Sequence, residues 1–261
     1  ALDALHSSCR IYLRTEKHPI VNKLKETIKY TSLDYFYDSE ENFEDVYYKI
    51  SKHIVELAKE GDLVYAVPGH PRVAEKTVGI IESMAKENNI EVETIASMSF
   101  VDAMFNYLAV DPADGFKLID AFEIENSYID TNTSMIITQI YDHFIASNIK
   151  LKLMEYYDYD QEVCIVNGAG VKNLESKKYV PLYELDRSEN LFNYLTSLYI
   201  PKSSKKMYNT VHDLEAIMNT LRGENGCDWD KKQTHESLKK YVIEEAYELC
   251  QAIDNDDIDE M

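Results

Sequence analysis

An α/β architecture followed by a short all-α segment is the fold class this sequence predicts, on three observations. Short apolar runs rich in β-branched residues alternate with amphipathic helical patterns from residue 9 to residue 200. The stretch Pro201-Lys202-Ser203-Ser204-Lys205-Lys206 is polar and basic in an otherwise acidic chain, which marks a linker. Beyond it every periodic segment is helical. The predicted division is therefore a domain at 1–201, a linker at 202–209 and a helical domain at 210–261.

Residues 1–8 read as the tail of a helix. The runs 9–14 (CRIYLR), 62–67 (DLVYAV), 90–96 (IEVETIA), 134–140 (SMIITQI) and 162–167 (EVCIVN) read as buried strands. Helical patterns fill the intervals at about 41–60, 71–88, 99–109 and 142–153. This alternation predicts largely parallel strand pairing. Residues 179–200 read as a last strand and a closing helix. After the linker, Thr210 can cap a helix over 211–222 that stops at Gly223. A loop at 223–233 leads to a second cap, Thr234, and a helix from 235 to about 253. Its apolar stripe is Leu238, Val242, Ala246, Leu249 and Ile253.

The composition narrows the function classes. With 261 residues, 45% hydrophobic, and no apolar run long enough to span a bilayer, the chain reads as globular, with no membrane partner. A formal charge of −20 argues against a nucleic-acid surface but leaves small anionic substrates open, since a metal can bridge acid to phosphate. Cys9, Cys164, Cys227 and Cys250 are scattered, without a Cys-x-x-Cys, which favours reduced thiols in the cytoplasm. The start at Ala1 and the end at Met261 in an acidic stretch read as those of a piece of a longer protein.

The densest chemical signal is Glu244-Glu245-x-x-Glu248. On a helix these carboxylates share a sector roughly 100° wide beside the apolar stripe. Like charges at these spacings cost a helix a few tenths of a kcal/mol per pair, roughly, which a hard cation would offset. A solvated acidic face is the competing interpretation. Upstream, Trp229 could stack on a nucleobase or anchor two helices, and Lys231 and Lys232 could meet phosphates or only solvent.

The run Leu221-Arg222-Gly223, Cys227-x-Trp229-Asp230-x-x-Gln233-Thr234-His235-x-Ser237-Leu238, Glu244-Glu245-x-x-Glu248 closely resembles the MazG family of nucleoside triphosphate pyrophosphohydrolases over about 208–261. The resemblance implies an all-α, oligomeric fold in which acids on two helices hold Mg²⁺. An activated water then splits a nucleoside triphosphate into monophosphate and pyrophosphate. Carried over by position, Glu244, Glu245 and Glu248 are the metal-binding set, and one of them could instead orient the water. Asp228 stands where the family usually has Pro, and no second acidic motif of the ExxD kind follows. The chain as given is therefore expected to hydrolyse nucleotides poorly or not at all.

Four strand-end loops mark the larger domain: Val67-Pro68-Gly69-His70-Pro71-Arg72-Val73-Ala74-Glu75, Ala96-Ser97-Met98-Ser99-Phe100-Val101-Asp102-Ala103, Thr138-Gln139-Ile140 and Asn167-Gly168-Ala169-Gly170. Each alone is more often structural, Ser99 being a plausible plain N-cap, but four on successive strands favour a shared cleft. With Tyr12-Leu13-Arg14-Thr15-x-x-His18-Pro19 and Leu195-Thr196-Ser197-Leu198-Tyr199-Ile200-Pro201, these loops resemble the tetrapyrrole methylase family over about 1–201. That resemblance implies two α/β subdomains with S-adenosylmethionine in the cleft between them, lined by Gly69, His70, Ser97, Ser99, Gln139, Gly168 and Ala169. His70 stands where many members have Asp, and the family's opening strand and glycine-rich loop are not in this sequence. The combined expectation is a bifunctional enzyme. Its rivals are a methyltransferase acting on a small molecule, and a non-catalytic ligand-sensing module that regulates the hydrolase.

Overall fold

The computed structural model describes residues 1–39, 42–187, 189–203 and 211–261. The chain divides into two compact units, Ala1–Lys205 and Lys206–Met261. The predicted linker at 202–209 and the cap at Thr210 fall largely outside the described residues.

The first unit opens with α1 (Leu2–Ser7), β1 (Ile11–Leu13), α2 (Val21–Leu24), β2 (Thr31–Ser32), α3 (Tyr35–Ser39), α4 (Phe43–Ala58), β3 (Val64–Ala66) and α5 (Lys76–Glu87). Its three strands form a parallel sheet in the order β2-β1-β3. The start of α4 is set by Asn42, whose side chain accepts the Asp45 N–H, with Glu44 and Asp45 favourable near the positive end of the helix. Its buried face is Val46, Ile50 and Ile54 at four-residue spacing, packed with Leu33 and Ile81. The opposite sheet face is covered by Leu5 and Val21 against Ile11 and Leu13.

The chain continues through α6 (Phe100–Leu108), β4 (Phe116–Asp120), β5 (Ser134–Thr138), α7 (His143–Leu153), β6 (Glu162–Asn167), β7 (Ser176–Pro181) and β8 (Thr196–Ile200). These strands form a mixed sheet in the order β4-β5-β8-β6-β7. Only β4 and β5 are parallel; the other neighbours are antiparallel. Alternate residues of the central strands serve two cores. Ile137, Val163, Ile165, Leu198 and Ile200 pack with Ile149 and Leu153 of α7, whereas Ile136, Cys164, Val166 and Tyr199 pack with Met104 and Phe105 of α6. Burial on both faces explains why these strands read as continuous apolar runs.

Three expectations need correction. Residues 90–96 form no strand: Val92 and Ile95 are exposed and no described segment pairs with them. A strand needs a ladder partner to satisfy its backbone, whatever its β propensity. The closing helix predicted within 179–200 is replaced by 3₁₀ turns at Leu182–Arg187 and Glu189–Leu191 and by the strand β8. Leu191, Leu195, Leu198 and Tyr199 fall at helical spacing, but the slot between β5 and β6 takes Thr196–Ile200 as a strand with all five residues buried. That insertion also makes the second sheet mostly antiparallel, against the parallel pairing expected.

The second unit contains α8 (Val211–Arg222), α9 (Asp228–Lys232) and α10 (His235–Asp254). Thr234 caps α10 through a reciprocal pair with Ser237, as its spacing predicts. The predicted loop at 223–233 contains the additional short helix α9.

Candidate ligand cleft and acidic helix

A cleft of about 420 Å³ opens in the first unit, lined from the carboxyl ends of β1, β2, β3, β5 and β6. Its volume is that of an ordinary small-molecule site, and its position is where open α/β sheets collect ligands. Gly69, Gln139, Gly168 and Ala169 line it. His70, Ser97 and Ser99 are not among its lining residues. The His70 Nδ1 accepts the Arg72 N–H at 3.1 Å within its own turn. Ser97 is exposed, and Ser99 caps α6, its Oγ accepting the Val101 N–H at 3.1 Å.

Two lining positions hold unusual backbone. Gly168 sits at φ +58, where an added Cβ would stand 2.9 Å from the Leu174 carbonyl oxygen, so this position demands glycine. Gln139 adopts φ +65 without being glycine. Its amide is held on both sides, donating to Asp120 Oδ2 and accepting from the Tyr141 hydroxyl. Backbone of this kind concentrates at ligand sites. The apolar wall is Val73, Phe100, Met104, Val166 and Val171, so the cleft offers both apolar surface and strand-end polar groups to one ligand.

The charged floor was not singled out from the sequence. The Arg14 Nε lies 3.0 Å from Glu75 Oε2, and Nη1 donates to the Tyr37 hydroxyl at 3.1 Å. Glu75 Oε1 accepts from the Thr77 N–H and hydroxyl, whose oxygen also meets the Tyr65 hydroxyl. Burial works against the Arg14 charge, but Glu75 foremost, then the phenols of Tyr37, Tyr65 and Tyr47, hold its pKa above the ordinary arginine value. Beside it the His18 imidazole is pushed down, first by burial and then by Arg14. For Asp34, burial alone would raise the carboxyl; hydrogen bonds from Glu16 N–H and the Thr15 and Ser32 hydroxyls outweigh it and hold the pKa down. Burial pushes the Tyr141 phenol up to about 12. Arg14, Thr15 and His18 stand in a recognisable strand-end motif, but Tyr37, Tyr47 and Tyr141 come from separate elements and carry no local signal.

In the second unit, Glu244, Glu245 and Glu248 are exposed along α10. Among the described residues no three acidic, histidine or cysteine side chains converge to hold a metal ion. The carboxylates present therefore do not fit Mg²⁺ by themselves. The rest of the motif builds the turn. The Arg222 Nη1 donates to the Asp230 carbonyl at 3.0 Å, and the Lys231 Nζ to the Glu224 carbonyl at 2.8 Å. An added Cβ on Gly226 would come within 2.1 Å of the Leu221 carbonyl oxygen. Trp229 is half exposed and meets Tyr241 of α10 edge-on at 5.9 Å, while Lys232 is exposed.

With this geometry established, comparison identifies the class. Residues 1–186 match the model of the Tetrapyrrole (Corrin/Porphyrin) Methylases, and residues 233–261 match the MazG nucleotide pyrophosphohydrolase domain. The chain belongs to the tetrapyrrole methylase family over its larger unit and carries MazG-domain sequence at its end. It is 46% identical to the protein YabN of Bacillus subtilis over 254 residues, 96% of this chain and 52% of that protein. It is 62% identical over 48 residues to the nucleoside triphosphate pyrophosphohydrolase/pyrophosphatase MazG of Thermotoga maritima, 18% of this chain and 19% of that one. The chain thus spans about half the length of the first relative and a smaller share of the second. A uroporphyrin-III C-methyltransferase structure from Thermus thermophilus shares the fold with a TM-score of 0.60 at 15% identity, covering 77% of this chain and 86% of that one. Another from that organism, complexed with S-adenosyl homocysteine, aligns with a TM-score of 0.54 at 14% identity, over 77% and 88% of the two chains. Among the described residues no helix is long and apolar enough to cross a membrane.

Proposed function

We propose that the chain is part of a bifunctional cytoplasmic enzyme that joins an S-adenosylmethionine-dependent methyltransferase domain to a MazG-type hydrolase converting nucleoside triphosphates to monophosphates and pyrophosphate. The observation that carries this reading is the succession of the two family matches along one chain, with a formed cleft in the first unit. Gly69, Gln139, Gly168 and Ala169 would hold the cofactor, which supplies an activated methyl group; the apolar wall would exclude water. Glu244, Glu245 and Glu248 would be metal-directed acids, with Trp229, Lys231 and Lys232 nearest the nucleotide. Since those three acids do not converge into a cation cage, no hydrolytic step is assigned to them, and Mg²⁺ dependence rests on the resemblance alone. Small nucleotides are the proposed partners. The exposed Val242, Ile243, Leu249 and Ile253 of α10 support self-association through this unit. The four unpaired cysteines accord with a reducing compartment.

The test measures pyrophosphate release from nucleoside triphosphates by the full-length protein. Mg²⁺-dependent release that falls by about 10²-fold or more in Glu245→Gln is expected. Release of single phosphate, or activity undiminished by chelator, would overturn the hydrolase assignment. Calorimetry with S-adenosylmethionine separates the rivals. Binding without methyl transfer favours a sensing module, and absence of heat at high protein concentration removes the methyltransferase reading.

A further inference from the structure

We propose that Arg14 is an anion anchor, so that the ligand of the cleft carries a carboxylate or phosphate at the end built by β1, α3 and α4. The proposal rests on the cleft being a small-molecule site, and it specifies the chemistry that site selects.

The first argument is hydrogen-bond accounting. A guanidinium has five N–H donors. Among the described residues the Arg14 guanidinium makes one aligned hydrogen bond, from Nη1 to the Tyr37 hydroxyl. The Nε is buried and lies 3.0 Å from Glu75 Oε2, yet its N–H meets no acceptor in hydrogen-bond alignment. Among the described residues Nη2 makes no aligned hydrogen bond, and it is not among the buried unpaired atoms. A buried donor without an aligned acceptor is uncommon, and the solvent-open face of the guanidinium leaves room for one.

The second argument is an asymmetry of exposure. The Arg14 side chain retains 23% of its accessible surface, whereas its counter-ion Glu75 retains 3%. Both residues line the cleft, and a ligand entering it meets more of the cation than of the anion. Glu75 is further engaged by Thr77 through both the backbone N–H and the hydroxyl. The segment that places it includes Ala74 at φ +52, a left-handed conformation that a non-glycine residue adopts at a cost. A buried ion pair of this kind adds little net stability, so its stabilising effect does not account for the arrangement. Glu75 works as a buttress that keeps the guanidinium charged and fixed.

The third argument is local charge. The chain carries a net −20, which repels anions at long range. The cleft lining nevertheless includes Arg14, Lys17 and Lys76 with Asp34 and Glu75, Lys76 being paired with Glu123 at 3.4 Å. Asp34 is turned to local use, accepting from Thr15, Glu16 and Ser32. Tyr37, Tyr47 and Tyr141 also line the cleft, and the Tyr37 hydroxyl meets Arg14. A carboxylate or phosphate is the chemistry this end would recognise.

The anion has two possible sources: the amino-acid carboxylate of the cofactor, or a separate second ligand. Isothermal titration of the whole chain distinguishes them with S-adenosylhomocysteine, methylthioadenosine (which lacks the carboxylate) and inorganic pyrophosphate. If the cofactor supplies the anion, Arg14→Gln weakens S-adenosylhomocysteine about tenfold or more and leaves methylthioadenosine unchanged. If a second ligand supplies it, S-adenosylhomocysteine is unaffected, but pyrophosphate binding to the S-adenosylhomocysteine-saturated protein is lost. Because Arg14→Gln leaves Glu75 buried without its counter-charge, Arg14→Gln/Glu75→Gln is measured alongside, with its thermal midpoint expected near that of the parent and the same loss of binding. Unchanged affinity for S-adenosylhomocysteine and for pyrophosphate in the folded double variant overturns the proposal, as does failure of these two anionic probes to bind the unmodified chain at millimolar concentration. Arg14-dependent pyrophosphate binding without S-adenosylhomocysteine binding would uphold the anchor while removing the cofactor reading.

Discussion

The centre of the second sheet and the helix α10 are both apolar in sequence, yet they meet opposite fates. In β5, β6 and β8, side chains on both faces are withdrawn from water, and Ile136, Ile137, Leu198 and Ile200 are fully buried. Along α10, Val242 is 66% exposed, Ile253 53% and Tyr247 74%. The difference teaches where each unit finds its stability. The first is closed by its own layers, whereas α10 displays an apolar stripe that nothing among the described residues covers. Apolar periodicity identifies a face to be buried; it does not say whether the same chain buries it.

The largest expected effect that would break this comparison is at Leu198. Leu198→Ala should cost about 2–5 kcal/mol in urea denaturation, because α7 and both neighbouring strands pack on that side chain. Gly168→Ala comes next, at roughly 1–3 kcal/mol, since it forces a Cβ against the Leu174 carbonyl at a left-handed position. It should also weaken cleft binding by titration, because Gly168 is a lining residue. Thr234→Ala removes the reciprocal cap of α10 and should cost about 1 kcal/mol, read as faster amide exchange in the first turn of that helix. The smallest effect is Val242→Ser, expected within about 0.5 kcal/mol in the isolated chain. A loss at Val242 equal to that at Leu198 would show that α10 is buried in solution and would end the contrast.

Local chemistry was legible where one short segment contains everything it needs. The Thr234 cap, the span of α10, and the starts of α4 and α6 follow from side chains that hydrogen-bond within three residues of themselves. The cleft was legible in part: four loops were expected to meet, and Gly69, Gln139, Gly168 and Ala169 do. Ser99 went to capping because a serine before a helix satisfies the nearest backbone donor first. The Arg14–Glu75–Tyr37 floor was not legible, since its members lie far apart in sequence and share no spacing rule. β8 was misread because its apolar residues fit a helical period until the gap between two strands claims them.

What the sequence by itself determined is the chain's division into an α/β part and a helical part, the helix caps, and the two family signatures. These rest on short-range sterics, hydrogen bonds and periodicity. Only the tertiary structure decided which predicted strands exist, because a strand requires a partner that sequence position does not supply. It also decided that Arg14 is more exposed than Glu75, since exposure is a property of the packed layers and of no single residue.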